Sequence, residues 1–181
     1  MIQIRSNVFE TNSSSVHSLC ISKEPYEIPN GTVDFIPGYY GWDEGFALPT
    51  SYLITALYCN EMEDMIPHLK GILDKHGVHY IIHQPEKDSS GWYEDCDIDH
   101  SGNLFGFLND IMQDEDKLLR FLFSENSIVY TGNDNNYYDE NSMCYAGEAF
   151  RWGFNNETKE WENLPNPNYD PEHFEYYVKG N

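Results

Sequence analysis

The chain has 181 residues with 31 acidic and 10 basic side chains, which gives a formal net charge of −21. This length is ordinary for one domain, which should bury about 70% of the surface exposed by the unfolded chain. No apolar run reaches the roughly 18 residues that a transmembrane helix needs, and the opening Met1–Arg5 does not lead into the apolar core of a signal peptide. We therefore expect a cytoplasmic protein that does not contact a membrane.

The negative charge is concentrated in the second half of the chain. Residues 88–181 carry 20 of the 31 acidic side chains and five of the ten basic ones. High net charge favours solubility on its own, and it is also typical of halophilic and disordered proteins. The 14 Tyr, 10 Phe and 4 Trp argue against both of the latter.

Two strand patterns and a glycine-rich segment follow the N-terminus. Val16–Ile21 and Thr32–Ile36 have the length and the β-branched residues of strands, and turn residues lie between them. This order predicts an N-terminal hairpin or meander. The segment Pro37–Phe46 combines glycine with aromatic residues, which predicts a surface loop.

Two helices and a strand are predicted next. Pro49 suits a first helical turn, and Leu53, Ala56 and Leu57 recur at helical spacing. A second helix should be capped by Asp64 and ended by Gly77. Val78–His83 then has a strand pattern.

An acidic loop over residues 86–103 precedes two further predicted helices. Ser101 is the expected cap of the first, and Asp114 that of the second, which carries Leu118, Leu119 and Leu122. Ser127–Tyr130 has a strand pattern.

The pattern of the C-terminal part predicts β-structure. Residues 150–162 predict an aromatic hairpin, and Phe174–Val178 predicts a last strand. No repeat or change of composition divides the chain. The sequence therefore predicts one α+β domain over residues 1–181, with antiparallel sheets and three to four short helices.

Cysteine, histidine and aspartate offer few ligands for a metal ion. Cys20, Cys59, Cys96 and Cys144 are widely spaced, and we expect reduced thiols. His76 is expected at a helix end, and His79 and His83 would lie about 13 Å apart along a strand, too far for one zinc ion.

A calcium site is a further possibility. Asp97, Asp99, Ser101 and Gly102 match the first half of a calcium loop, but Leu108 occupies the position of its bidentate glutamate. An Asp-rich turn before a helix is the alternative, and we expect no cofactor.

The N-terminal polar cluster is a candidate catalytic site. Arg5, Glu10, Ser14 and His17 supply a cation, a carboxylate, a hydroxyl and an imidazole, which a small transferase or hydrolase could use. Residues two apart on a strand do not form a Ser–His dyad by themselves, however, and no nucleophile elbow or phosphate-binding loop is present. A structural role for these hydroxyls, with Arg5 paired to Glu10, is the favoured alternative.

The acidic second half is a candidate surface for binding a partner. In an extended backbone, Asp95, Asp97 and Asp99 would project from one face about 6.7 Å apart, like the phosphates that a basic groove tracks. Aromatic neighbours would replace the stacked bases. The predicted surface consists of Trp92, Tyr93, Glu94, Asp95, Asp97, Asp99, Glu115, Asp116, Tyr137, Tyr138, Asp139 and Glu140.

The opening motif R-x-N-V-F-E-T-N-S-S-S-x-H, from Arg5 to His17, resembles the start of a group of small proteins from Firmicutes bacteria and their phages. Phe121–Phe123 and Tyr130–Asn135 resemble the same group. The chain is also similar in size and charge to phage anti-CRISPR proteins, several of which occupy the nucleic-acid site of a Cas nuclease. The resemblance implies a phage-related inhibitor of a Cas9-like effector, a basic nucleic-acid-binding protein, with no direct binding of nucleic acid.

Overall fold

A computed structural model describes residues 15–43, 45–91, 93–134 and 142–180. Over these residues the helices are α1 (Pro49–Cys59), α2 (Ile66–Lys75), α3 (Phe105–Gln113) and α4 (Glu115–Phe123). The strands are β1 (His17–Ser22), β2 (Thr32–Phe35), β3 (Tyr39–Tyr40), β4 (Gly45–Ala47), β5 (His79–Ile82), β6 (Asp97–Ile98), β7 (Ile128–Thr131), β8 (Phe150–Asn155), β9 (Glu160–Pro165) and β10 (Phe174–Lys179). The α+β class is as predicted.

The main sheet is antiparallel and has the strand order β10-β1-β7-β4. All six residues of β1 are buried, since the strand is paired along both edges and covered on both faces. Alternation divides its side chains between those faces. Ser18 contacts the segment at 144–146, and His17 points to α1 on the opposite face.

Helix α1 lies at the centre of the hydrophobic core. It contacts β2, β6, β7, α3 and α4, and eight of its eleven residues are buried. Burial on nearly every side explains why its sequence is apolar rather than strongly amphipathic. The buried side chain of Thr55 is satisfied, because its hydroxyl donates to the Ser51 carbonyl and accepts from the Gly38 amide.

The predicted helix starts have mixed outcomes. Asp114 caps α4 as expected, accepting a 3.0 Å hydrogen bond from the Lys117 amide. The caps predicted at Asp64 and Ser101 are wrong, because each residue lies inside a short 3₁₀ turn that leads into the following helix without a side-chain cap. Gly77 does follow α2, with a φ of 69° that favours glycine.

The predicted N-terminal hairpin is wrong. The strand β2 does not pair with β1, whose edges are occupied by β10 and β7, and instead forms a parallel pair with β5. The segment predicted as a surface loop contributes two short strands. Of these, β3 pairs with β6 in parallel, and β4 forms an edge of the main sheet.

The aromatic hairpin is confirmed. Strands β8 and β9 pair antiparallel, with Phe150 opposite Pro165 and Asn155 opposite Glu160. The hairpin forms a separate two-stranded sheet outside the main one.

Candidate functional site

His17 is a deeply buried residue. Its side chain is fully enclosed, with Nε2 2.7 Å from the Gly41 carbonyl oxygen and Nδ1 2.9 Å from the Tyr52 hydroxyl. A carbonyl only accepts, so Nε2 carries the proton and Nδ1 accepts from Tyr52. Burial lowers the pKa of His17 to about 4, which keeps the ring neutral near pH 7. No ring nitrogen is left to activate a nucleophile in this arrangement.

The same region holds a buried lysine. Lys179, at the end of β10, donates from Nζ to the carbonyl and the hydroxyl of Ser15. The Ser15 hydroxyl donates in turn to the Asp99 carbonyl at 3.0 Å. These contacts join the two ends of the described chain and support the structural interpretation of the polar cluster. Arg5, Glu10 and Ser14 lie outside the described residues.

The half calcium loop is not arranged as a cation site. Asp99 accepts from the Ser15 amide at 3.3 Å, and Ser101 directs its hydroxyl to the Cys59 carbonyl at 3.5 Å. Asp97 is exposed on β6. Among the described residues, no group of three His, Cys, Asp or Glu side chains could hold a metal ion.

His76 lies at the end of α2 as predicted, whereas His83 directly follows β5 rather than belonging to it. His76 follows α2 and contacts Glu115, and His83 lies 2.8 Å from a carboxylate oxygen of Asp34. Both are therefore engaged with carboxylates on other elements, as structural histidines would be.

The predicted row of carboxylates is wrong in its geometry. Asp95 lies in a turn with a φ of 51°, and the extended backbone comprises only Asp97 and Ile98. Glu94 and Asp95 are exposed all the same. Tyr93 is already engaged, since its hydroxyl donates to Glu63 and the Lys87 ammonium lies 4.3 Å from its ring centre. Trp92 lies outside the described residues.

Some of the other predicted surface residues form ion pairs, and the rest lie outside the described residues. Glu115 pairs with Lys75 at 2.8 Å, and Asp116 pairs with Arg120 at 2.9 Å. These pairs offset part of the negative charge at the start of α4. Tyr137, Tyr138, Asp139 and Glu140 lie outside the described residues.

The β8–β9 hairpin carries an exposed aromatic face that the predicted surface did not include. Strand alternation and register place Phe150, Trp152, Phe154 and Trp161 on one face. Their exposed fractions are 57%, 38%, 42% and 53%. The ring centres of Phe154 and Trp161 are 5.9 Å apart in an edge-to-face arrangement. We refer to these four residues as the aromatic face.

The opposite face of the hairpin turns inward. Gly153 is buried, and Arg151, Asn155, Glu162 and Leu164 are partly buried. The hairpin thus has one sheltered face and one aromatic face open to solvent. The signal was present in the sequence as alternate aromatic residues in β8, but alternation alone does not say which face is covered.

No protein family, curated protein or solved structure matches this chain. Within the described ranges, no helix is long and apolar enough to cross a membrane. Function is therefore inferred from the exposed surfaces and their charge.

Proposed function

We propose that this protein is an inhibitor that binds a basic nucleic-acid-binding protein and competes with its nucleic acid. Its most concrete form is a phage-related inhibitor of a Cas9-like nuclease that acts in the cytoplasm of the bacterial host without a cofactor. The observation that carries the proposal is the aromatic face of the β8–β9 hairpin on a chain of net charge −21.

Large aromatic side chains grouped on one exposed face favour a role in binding. Scattered exposed apolar residues are normal in proteins, but a contiguous patch is typical of an interaction surface. Trp and Tyr are enriched among the residues that dominate binding energies at interfaces. Trp152 and Trp161 are therefore the expected anchors.

The charge of the chain supports the proposal of a basic partner. Proteins that bind single-stranded nucleic acid combine a positive groove with aromatic side chains on which the bases stack. The aromatic face can make the contacts of the bases, and the excess of carboxylates on this chain can meet the cations that bind phosphates. Exposed Glu94, Asp95 and Asp97 add to the field that attracts such a groove.

A competition assay with purified proteins tests this function. The Cas9-like nuclease of the host is immobilised with and without guide RNA, and binding is measured over a range of salt concentrations. We expect binding that weakens as salt rises and that target DNA or guide RNA displaces. A pull-down from host lysate at low salt, with and without nuclease treatment, extends the test to other basic effectors.

Two variants with a matched control locate the surface. Trp161→Ala should weaken binding at least about tenfold, and joint reversal of Asp95 and Asp97 to Lys should mainly slow association. Phe46→Ala removes an aromatic side chain that is 72% exposed on β4, outside the hairpin, and should bind like the wild type.

Normal binding by Trp161→Ala would contradict the assignment to the aromatic face. The inhibitory function itself would be contradicted if a saturating concentration of this protein left the nucleic-acid binding of every basic effector unchanged. Circular dichroism of each variant confirms that the fold is retained.

A further inference from the structure

A cavity in the described part of the chain is lined by two neighbouring cysteines. Its volume is about 890 Å³, and its wall includes Cys59, Cys96, Glu63, Lys87 and Tyr93. Cys59 ends α1, and Cys96 directly precedes β6, which packs against that helix. The fold thus brings together two thiols that are distant in the sequence.

The two cysteines contact each other. The Cys59 thiol donates to the Cys96 carbonyl oxygen over 3.7 Å, which brings Cys59 against the residue that carries the second thiol. Cys59 is partly exposed, and Cys96 is only 4% exposed. A reagent that enters the cavity therefore meets Cys59 first and has a second thiol within reach.

We propose that Cys59 and Cys96 form an oxidant-reactive dithiol site, in which Cys59 attacks a peroxide and Cys96 resolves the product as a disulfide. The inference is independent of the proposed function. Both cysteines are free thiols in the structure, which corresponds to the reduced form of the site.

The local hydrogen bonds distinguish the two roles. A hydrogen bond from the Cys96 thiol lowers the pKa of Cys59, with burial opposing it and the Ile98 amide assisting. The same thiol–thiol contact, together with burial, raises the pKa of Cys96. The first proton therefore leaves Cys59, and the thiolate is the reactive form of cysteine.

The reaction balances with hydrogen peroxide as the oxidant. The Cys59 thiolate attacks one peroxide oxygen, the O–O bond breaks, and the departing hydroxide takes a proton to become water. The sulfenic acid on Cys59 is then attacked by the Cys96 sulfur, which loses its proton, while the S–O bond breaks and a second water leaves. Two thiols and one peroxide thus give one disulfide and two waters.

Cys20 and Cys144 serve as internal controls. They are 2% and 0% exposed, and neither lines this cavity. Burial raises the pKa of Cys20 to about 12, which leaves almost no thiolate near pH 7. We expect Cys59 to react with iodoacetamide at least about tenfold faster than Cys20 in the folded protein.

Peptide mapping of the whole protein tests the proposal. After treatment with peroxide, the wild type should show a linked Cys59–Cys96 peptide pair that has lost two hydrogen atoms and is restored by dithiothreitol. In Cys96→Ser, dimedone should instead trap a sulfenic acid on Cys59. In Cys59→Ser, no adduct should form on Cys96.

Two results would overturn the proposal. One is a wild type in which both cysteines stay reduced at peroxide concentrations that oxidise free glutathione. Another is a preferential reaction of Cys20 or Cys144 in folded protein. The wild-type map alone decides the first point, so the test does not depend on the folding of either variant.

Discussion

Replacing His17 should change how stability depends on pH. The ring is fully enclosed and neutral, bonded to Gly41 and Tyr52. The substitution His17→Gln removes the titrating group and keeps a side chain that can form hydrogen bonds. At pH 7 we expect a loss of about 1–3 kcal/mol, because the new amide cannot reproduce both contacts in a closed site.

The size of the pH effect follows from the two pKa values of His17. The unfolded chain takes up a proton near pH 6.5, and the folded protein does so only near pH 4. Between these values the unfolded state binds more protons, so the free energy of unfolding falls as the pH falls. His17 should therefore cost the wild type about 2 kcal/mol by pH 5 and about 3 kcal/mol by pH 4.

Urea unfolding followed by tryptophan fluorescence measures the effect. Wild type and variant are compared at pH 7 and at about pH 5, which stays above the sequence pI of about 4.4 and limits precipitation. The difference between their free energies of unfolding should shrink by about 2 kcal/mol over that interval, because carboxylates shared by both proteins cancel.

His173→Gln is the matched control. His173 is exposed and bonded to Asp170, which raises the pKa of His173. Its stabilising contribution is present at low pH and is lost as the pH rises, so the sign of its effect is opposite to that of His17. If the difference between the free energies of unfolding of wild type and His17→Gln is the same at both pH values, the buried, neutral imidazole is refuted.

Three further substitutions test other parts of the fold by urea unfolding. Asp114→Ala should cost about 1 kcal/mol, since the amide of Lys117 loses its cap, and no loss would exclude a stabilising cap. Gly147→Ala should cost about 1–3 kcal/mol, because the added Cβ would lie 2.7 Å from Cγ2 of Val178. An unchanged stability would show that β10 moves aside at little cost. Burial lowers the pKa of Lys179 to about 8. The free energy of unfolding of the wild type, relative to that of Lys179→Met, should therefore rise by about 3 kcal/mol between pH 8 and 10.5. A difference that stays constant over this range would contradict the lowered pKa.

Local patterns determined the elements whose causes lie close together in the chain. Pro49 and the following apolar residues indicated α1, and the carboxylate of Asp114 three residues before Lys117 indicated the start of α4. The aromatic hairpin was likewise visible from alternation around the turn at 156–159. The cap of α4 and the turn of the hairpin join residues a few positions apart, and the helical spacing of α1 is itself a local pattern, so the sequence alone carries this information.

Contacts between distant residues were decided by the tertiary structure. Three features depend on how several elements pack together. They are the register that places His17 opposite Lys179, the parallel pairing of β2 with β5, and the contact between Cys59 and Cys96. The buried position of His17 has the same origin, because the Tyr52 hydroxyl and the Gly41 carbonyl that bond its ring come from other parts of the fold. Which face of a strand is covered depends on its neighbours, and alternation along one strand does not identify them. For that reason the sequence determined the local elements and the acidic character of this protein, while the tertiary structure decided that the polar cluster is buried and that the aromatic face is exposed.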